Sequence, residues 1–103
     1  MRVIFKDKYL EALYEEKEEK GKPKYSEDVV DKFVFKVQQI ENAKNIKDLL
    51  KFRGLNFEAL KGKLLGLYSV RVNKQYRIIF SLEKDSILVQ DIAIIEELSK
   101  HYE

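Results

Sequence analysis

The sequence predicts an α+β domain, with N-terminal helices packed on one face of a small antiparallel β-sheet. Three observations predict it. A single β-branched and aromatic run opens the chain. Two segments then repeat apolar residues at helical spacing. Beyond Gly66 the pattern changes to strict alternation, the mark of half-buried strands. The 103 residues suit one domain spanning 1–103.

Taken in order, Arg2, Val3, Ile4 and Phe5 form a first strand. Asp7 is placed to cap a helix that starts at Lys8, with Tyr9, Leu10, Leu13 and Tyr14 on one face. The charged run 15–20 is expected to fray this helix, and Gly21 and Pro23 to break it. Ser26 caps the next helix, whose first turn carries Glu27 and Asp28 where acids suit the helix dipole. Val29, Val30, Phe33, Val34, Val37 and Ile40 follow at helical spacing. The β-branched residues in this set lower its intrinsic propensity, so the helix needs a sheet to pack on. Asn45 caps a short piece, Ile46–Lys51, with Leu49, Leu50 and Phe52 expected to point inward and Gly54 to stop it. Residues 55–60 are a strand or an extended connection, and Lys61, Gly62 and Lys63 make a basic turn.

Gly66 opens a hairpin. Tyr68, Val70 and Val72 alternate with Ser69 and Arg71; Tyr76, Ile78 and Phe80 alternate with Arg77. If both apolar sets share a core, parity requires an odd loop, and Asn73, Lys74 and Gln75 are the simplest choice. Arg71 then lies directly opposite Arg77. Like charges so paired cost on the order of 0.2–1 kcal/mol. A phosphate between them removes that cost, because guanidinium forks match its oxygens; solvation or a carboxylate elsewhere in the fold also would. A polar turn is expected at Glu83, Lys84, Asp85 and Ser86. A strand over 87–95 follows, apolar on both faces apart from Gln90 and Asp91 and therefore central. Residues 96–103 read as a short charged end that carries His101 and Tyr102.

Net charge is only +2, but it is unevenly spread. Residues 54–82 hold five Lys/Arg against Glu58 alone, and residues 83–103 hold two Lys against six Asp/Glu. A basic patch inside a near-neutral chain suits a local anionic ligand better than a general nucleic-acid coat. The tail could instead fold back and neutralise it. With no cysteine there is no disulfide, thiol nucleophile or thiolate metal site. One histidine makes a zinc site a poor expectation, and no metal or cofactor is expected. The N-terminal apolar run is too short for a signal peptide and no run is long enough to span a bilayer, so the cytoplasm is the default location and no membrane partner is expected.

His101 is the only side chain whose ordinary pKa lies near neutrality, and Tyr102 beside it can donate or transfer a proton. Glu58 is either a general base or a partner for Lys61 or Arg53. Cations, one histidine, one tyrosine and one carboxylate suit RNA cleavage without a metal. A base takes the ribose 2′-OH proton, that oxygen attacks the adjacent phosphorus, cations hold the phosphorane oxygens, and an acid protonates the leaving 5′-oxygen. DNA lacks the attacking hydroxyl.

The run Leu60-Lys61-Gly62, then Gly66-Leu67-Tyr68-Ser69-Val70-Arg71-Val72, then Tyr76-Arg77-Ile78-Ile79-Phe80, resembles the HigB branch of the RelE/ParE toxin superfamily. The His101–Tyr102 pair adds to the likeness. The resemblance implies a RelE-like, microbial-ribonuclease-like fold and a toxin of a type II toxin–antitoxin module that cleaves mRNA in the ribosomal A site. It implies that Lys61, Arg71 and Arg77 hold the phosphate, with Lys63 and Lys74 as further RNA-binding cations. His101 and Tyr102 resemble the family's C-terminal tyrosine–histidine element in reversed order. Glu58 stands where a related toxin has a histidine, and is a candidate base. The implied partners are a HigA-like antitoxin, the ribosome and mRNA, with operator DNA reached only through the antitoxin. Two other outcomes share the fold: a ParE-like inhibitor of DNA gyrase, or a degenerate toxin acting only as an antitoxin-binding co-repressor.

Overall fold

Local side-chain caps begin the three helices of the described residues. In a computed structural model that describes residues 1–16, 23–88 and 90–100, helix α1 (Lys8–Glu16) starts at Asp7. The Asp7 carboxylate accepts from the backbone N–H of Tyr9 (2.8 Å) and Leu10 (3.2 Å). Helix α2 (Glu27–Asn42) starts at Ser26, whose Oγ accepts from Val29 N–H at 3.2 Å. All six apolar residues read at helical spacing in α2 are buried. Helix α3 (Ile46–Lys51) starts at Asn45, which accepts from Asp48 N–H. The break expected at 17–22, and the chain end with His101 and Tyr102, lie outside the described residues.

Among the described residues the strands are β1 (Arg2–Phe5), β2 (Glu58–Ala59), β3 (Tyr68–Arg71), β4 (Tyr76–Asp85) and β5 (Gln90–Lys100). Their order in the sheet is β1-β5-β4-β3-β2. Every neighbouring pair is antiparallel except β1 with β5. The helical layer between β1 and the later strands supplies the long crossover that a parallel pair requires. β5 is an interior strand, between β1 and β4, as its two apolar faces predict. Helices α1 and α2 cover one face of the sheet. There Leu10, Leu13, Phe33, Val37 and Ile40 form one core with Val70, Ile78, Phe80, Ala93, Ile95 and Leu98.

Four expectations are corrected. Leu50 and Phe52 are exposed, not inward. A six-residue helix presents less than two turns to the core, and Leu49 alone occupies that face. Gly54 does not end α3, which stops at Lys51; it sits inside a 3-10 turn, Arg53–Leu55, that delivers Leu55 to the core. The polar turn comes later than the charges suggest, at 86–88. Glu83, Lys84 and Asp85 continue β4 instead, pairing with Ile92, Asp91 and Gln90, and Lys84 meets Asp91 at 3.8 Å. The Asp85 carboxylate accepts from Ile87 and Leu88 N–H and so builds the turn. The last strand therefore runs to Lys100, and Ile87 and Leu88 lie exposed in the turn. Among the described residues no helix is long and apolar enough to cross a membrane.

Candidate functional site

The hairpin forms in the register that parity requires. Arg71 pairs with Arg77, Val72 N–H donates to Tyr76 C=O at 2.9 Å, and Asn73, Lys74 and Gln75 are the loop. The Asn73 side chain closes it by accepting from the backbone N–H of Gln75 and Tyr76, each at 2.8 Å.

Alternation then sorts the side chains. Tyr68, Val70, Ile78 and Phe80 turn toward the helices, which leaves Ser69, Arg71 and Arg77 for the opposite face. The segment before β2 follows the same logic. The Phe57 ring stacks on Tyr68 (5.6 Å between centroids) and tilts against Phe80 (6.1 Å), anchoring the chain in the core. Its neighbours Asn56 and Glu58 line a cavity of about 60 Å³ together with Ser69, Arg71, Tyr76 and Arg77. Asn56 has left-handed backbone (φ 45°), a conformation asparagine tolerates, where the 3-10 turn gives way to β2.

The two arginines are not equivalent. Arg77 sits on β4, flanked by Arg71 on one side and Ser99 on the other, and is half-buried. Arg71 lies beyond the end of β2, which pairs only with Tyr68 and Ser69, so its outer side is open to solvent. Among the described residues neither arginine forms an ion pair, and Arg77 Nε is buried without a hydrogen-bond partner. Among the described residues the acidic tail does not neutralise them. Asp91 meets Lys84, and Glu96 meets Lys6 at 3.1 Å while also accepting from Ser81 Oγ. Glu58 shares the cavity with both guanidinium groups yet forms no ion pair with either. An anion between them would therefore displace no salt bridge among the described residues.

The lysines stand apart from this cavity. Lys61 and Lys63 are exposed in the β2–β3 connection, where Leu60 N–H donates to Leu67 C=O. Leu67 is four residues from Arg71, roughly 13 Å at about 3.3 Å per residue. Lys74 is exposed at the tip of the hairpin loop. His101 and Tyr102 lie outside the described residues. Sequence reasoning missed three residues that line the cavity, Asn56, Ser69 and Tyr76. Ser69 was detectable because it shares its face with Arg71, and Asn56 because it shares the alternation of Glu58.

Comparison with known proteins agrees with this picture. Residues 3–93 match the HigB-like toxin family, described as the RelE-like toxin of the type II toxin–antitoxin system HigB. Over 80 residues the chain is 41% identical to Toxin HigB-1 of Vibrio cholerae, covering 78% of this chain and 82% of that protein. In structure it resembles the YoeB–YefM complex from Staphylococcus aureus, with a TM-score of 0.59, 20% identity, and coverage of 99% of this chain and 98% of that one. The YoeB/ParE toxin from Agrobacterium tumefaciens gives a TM-score of 0.56 at 13% identity, covering 99% and 100%. At these identities the structural likeness speaks for the fold alone, whereas the sequence matches carry the family: this chain belongs to the HigB-like toxins, the RelE-like toxins of type II toxin–antitoxin systems.

Proposed function

We propose that this toxin is a metal-independent endoribonuclease that cuts mRNA presented by the ribosome. The observation that carries the reading is the Arg71–Arg77 pair, unneutralised among the described residues, lining one cavity with Glu58. A base takes the proton of a ribose 2′-OH, and the oxygen attacks the adjacent phosphorus. The P–O5′ bond breaks and the leaving oxygen is protonated, giving a 2′,3′-cyclic phosphate and a 5′-hydroxyl. Arg71 and Arg77 hold the phosphate and stabilise the charge that grows on its oxygens. Glu58, across the cavity from them, serves as base; His101 and Tyr102 are the candidates for the remaining proton transfer. Lys61, Lys63 and Lys74 hold the RNA on either side of the scissile phosphate.

A HigA-like antitoxin would hold the toxin inactive and bring it to operator DNA. The Staphylococcus aureus neighbour is itself a toxin–antitoxin complex, and exposed Phe35, Leu50 and Phe52 offer apolar area to an amphipathic segment. The test is 5′-end mapping of transcripts after induction of the toxin. New 5′-hydroxyl ends inside translated codons are expected. Intact messages accompanied by gyrase-dependent DNA breaks would overturn the reading in favour of a ParE-like poison.

A further inference from the structure

The floor of the arginine cavity holds an unexpected group. Ser69 is the polar residue that the described fold buries, at 3% exposure. It sits in β3 between Glu58 of β2 and Ile79 of β4, on the face that carries Arg71 and Arg77. Ile79 shows that an apolar side chain fills a neighbouring buried position on this face without difficulty. A hydroxyl at such a place costs desolvation unless it finds a partner. The Ser69 hydroxyl has no hydrogen-bond partner among the described residues, and it lines the cavity. Arg77 Nε, one strand away, is sealed from solvent, unlike the Ser69 hydroxyl, and has no acceptor among the described residues. Two donors thus face one small space, and the described residues leave both unused.

An oxygen with several lone pairs, lying between them, satisfies both at once. The geometry points to Ser69 as a substrate-contact residue whose hydroxyl donates to a non-bridging oxygen of the phosphate held by Arg71 and Arg77. The inference rests on reading this cavity as the phosphate site, and it adds a neutral donor to the two cations. A neutral donor fixes which oxygen is held without adding further repulsion between like charges. The contact strengthens as charge builds on that oxygen, so its loss is felt in kcat more than in KM.

The test uses the full chain in two assays, binding of inorganic phosphate followed by phosphorus NMR and cleavage of ribosome-bound message. Ser69→Ala is expected to weaken phosphate binding and slow cleavage on the order of 10- to 100-fold, the usual weight of a hydrogen bond to a charged group. Ser69→Cys keeps the shape with a poor donor and carries the same expectation, whereas Ser69→Thr, which retains the hydroxyl, restores both. Thermal unfolding of each variant separates loss of the contact from loss of the fold. If Ser69→Ala and Ser69→Cys bind and cleave within about twofold of wild type while Arg77→Met loses both, Ser69 has no such role. If Arg77→Met binds and cleaves as wild type does, the reading of the cavity falls, and the role of Ser69 falls with it.

Discussion

The two faces of the β3–β4 hairpin are built from the same eight paired residues and serve opposite ends. On the helix side, Tyr68, Val70, Ile78 and Phe80 bury apolar surface against Phe33, Val37 and Ile40. On the other side, Arg71 faces Arg77, Ser69 turns a hydroxyl to the cavity, and Arg77 Nε is buried without a partner among the described residues. One face removes apolar area from water and stabilises the fold. The other concentrates like charge and unmet hydrogen bonds, which costs stability in the empty protein. Strand alternation makes both possible in one element, because a residue's face is fixed by parity alone. Substitutions on one face should therefore change stability, and on the other activity.

The largest expected effect is on the inner face. Phe80 is fully buried and touches both Phe57 and Tyr68. Phe80→Ala should destabilise the protein by about 3–5 kcal/mol, read from urea unfolding, and abolish toxicity through loss of the fold. A variant that unfolds like wild type would break the division between the faces. The outer-face counterpart is Arg77→Met, which keeps the buried stem and removes the charge. Cleavage should fall about 10²–10³-fold, as when a preorganised donor to a transition-state oxyanion is lost. Stability should rise by about 0.2–1 kcal/mol as the repulsion with Arg71 disappears. Lower stability with unchanged cleavage would mean that Arg77 belongs to the scaffold.

Glu58→Gln comes next, at a residue on the edge of the outer face. The amide keeps the shape and loses the basic oxygen. Cleavage should drop about 10²-fold with no change in unfolding midpoint, as expected for loss of a general base. Single-turnover kinetics on a programmed ribosome would check it. Unaltered rates would move the base role away from Glu58 and leave this face to bind the phosphate alone.

This division between faces was legible in the sequence to an uneven degree. Asp7, Ser26 and Asn45 announced the helix starts because a cap is a local contact within three residues. The Arg71–Arg77 register was legible because parity and a three-residue loop leave few alternatives. Leu50 and Phe52 were misread because a short helix gives periodicity too few turns to define a face. The end of β4 was misread for a different reason. Glu83, Lys84 and Asp85 look like turn residues, but the long pairing with β5 and the Asp85 contacts to Ile87 and Leu88 set the turn later. Lys61 was read as completing the arginine pair, yet the β2–β3 connection leaves it outside the cavity. Closeness in sequence does not report which end of a strand a loop occupies. Asn56 and Ser69 carry no charge, so only the strand geometry brings them to the site.

The smallest effect probes the helical layer, where stability rests on polar caps as well as on apolar burial. Asp48 is the third residue of α3, and its carboxylate accepts from Lys44 N–H at 2.8 Å and from Lys51 Nζ at 3.4 Å, while its own N–H donates to Asn45. The arrangement resembles a capping box at a helix start, with the carboxylate reaching one residue further back, to Lys44 N–H. The Lys44 backbone N–H, with help from Lys51, holds the Asp48 carboxyl below the ordinary aspartate range. A depressed carboxyl binds its proton less readily folded than unfolded, so its contribution is fully present above the unfolded value of about 3.9. It fades as the pH falls through the folded value. Wild type should therefore exceed Asp48→Asn in unfolding midpoint at neutral pH, and the gap should narrow on acidification to about pH 3. The shift should leave cleavage at neutral pH unchanged, because α3 contributes nothing to the lining of the arginine cavity. A gap that stays constant with pH would show that the cap works by shape alone. A change in cleavage would show instead that the two faces are coupled through the segment from α3 to Asn56.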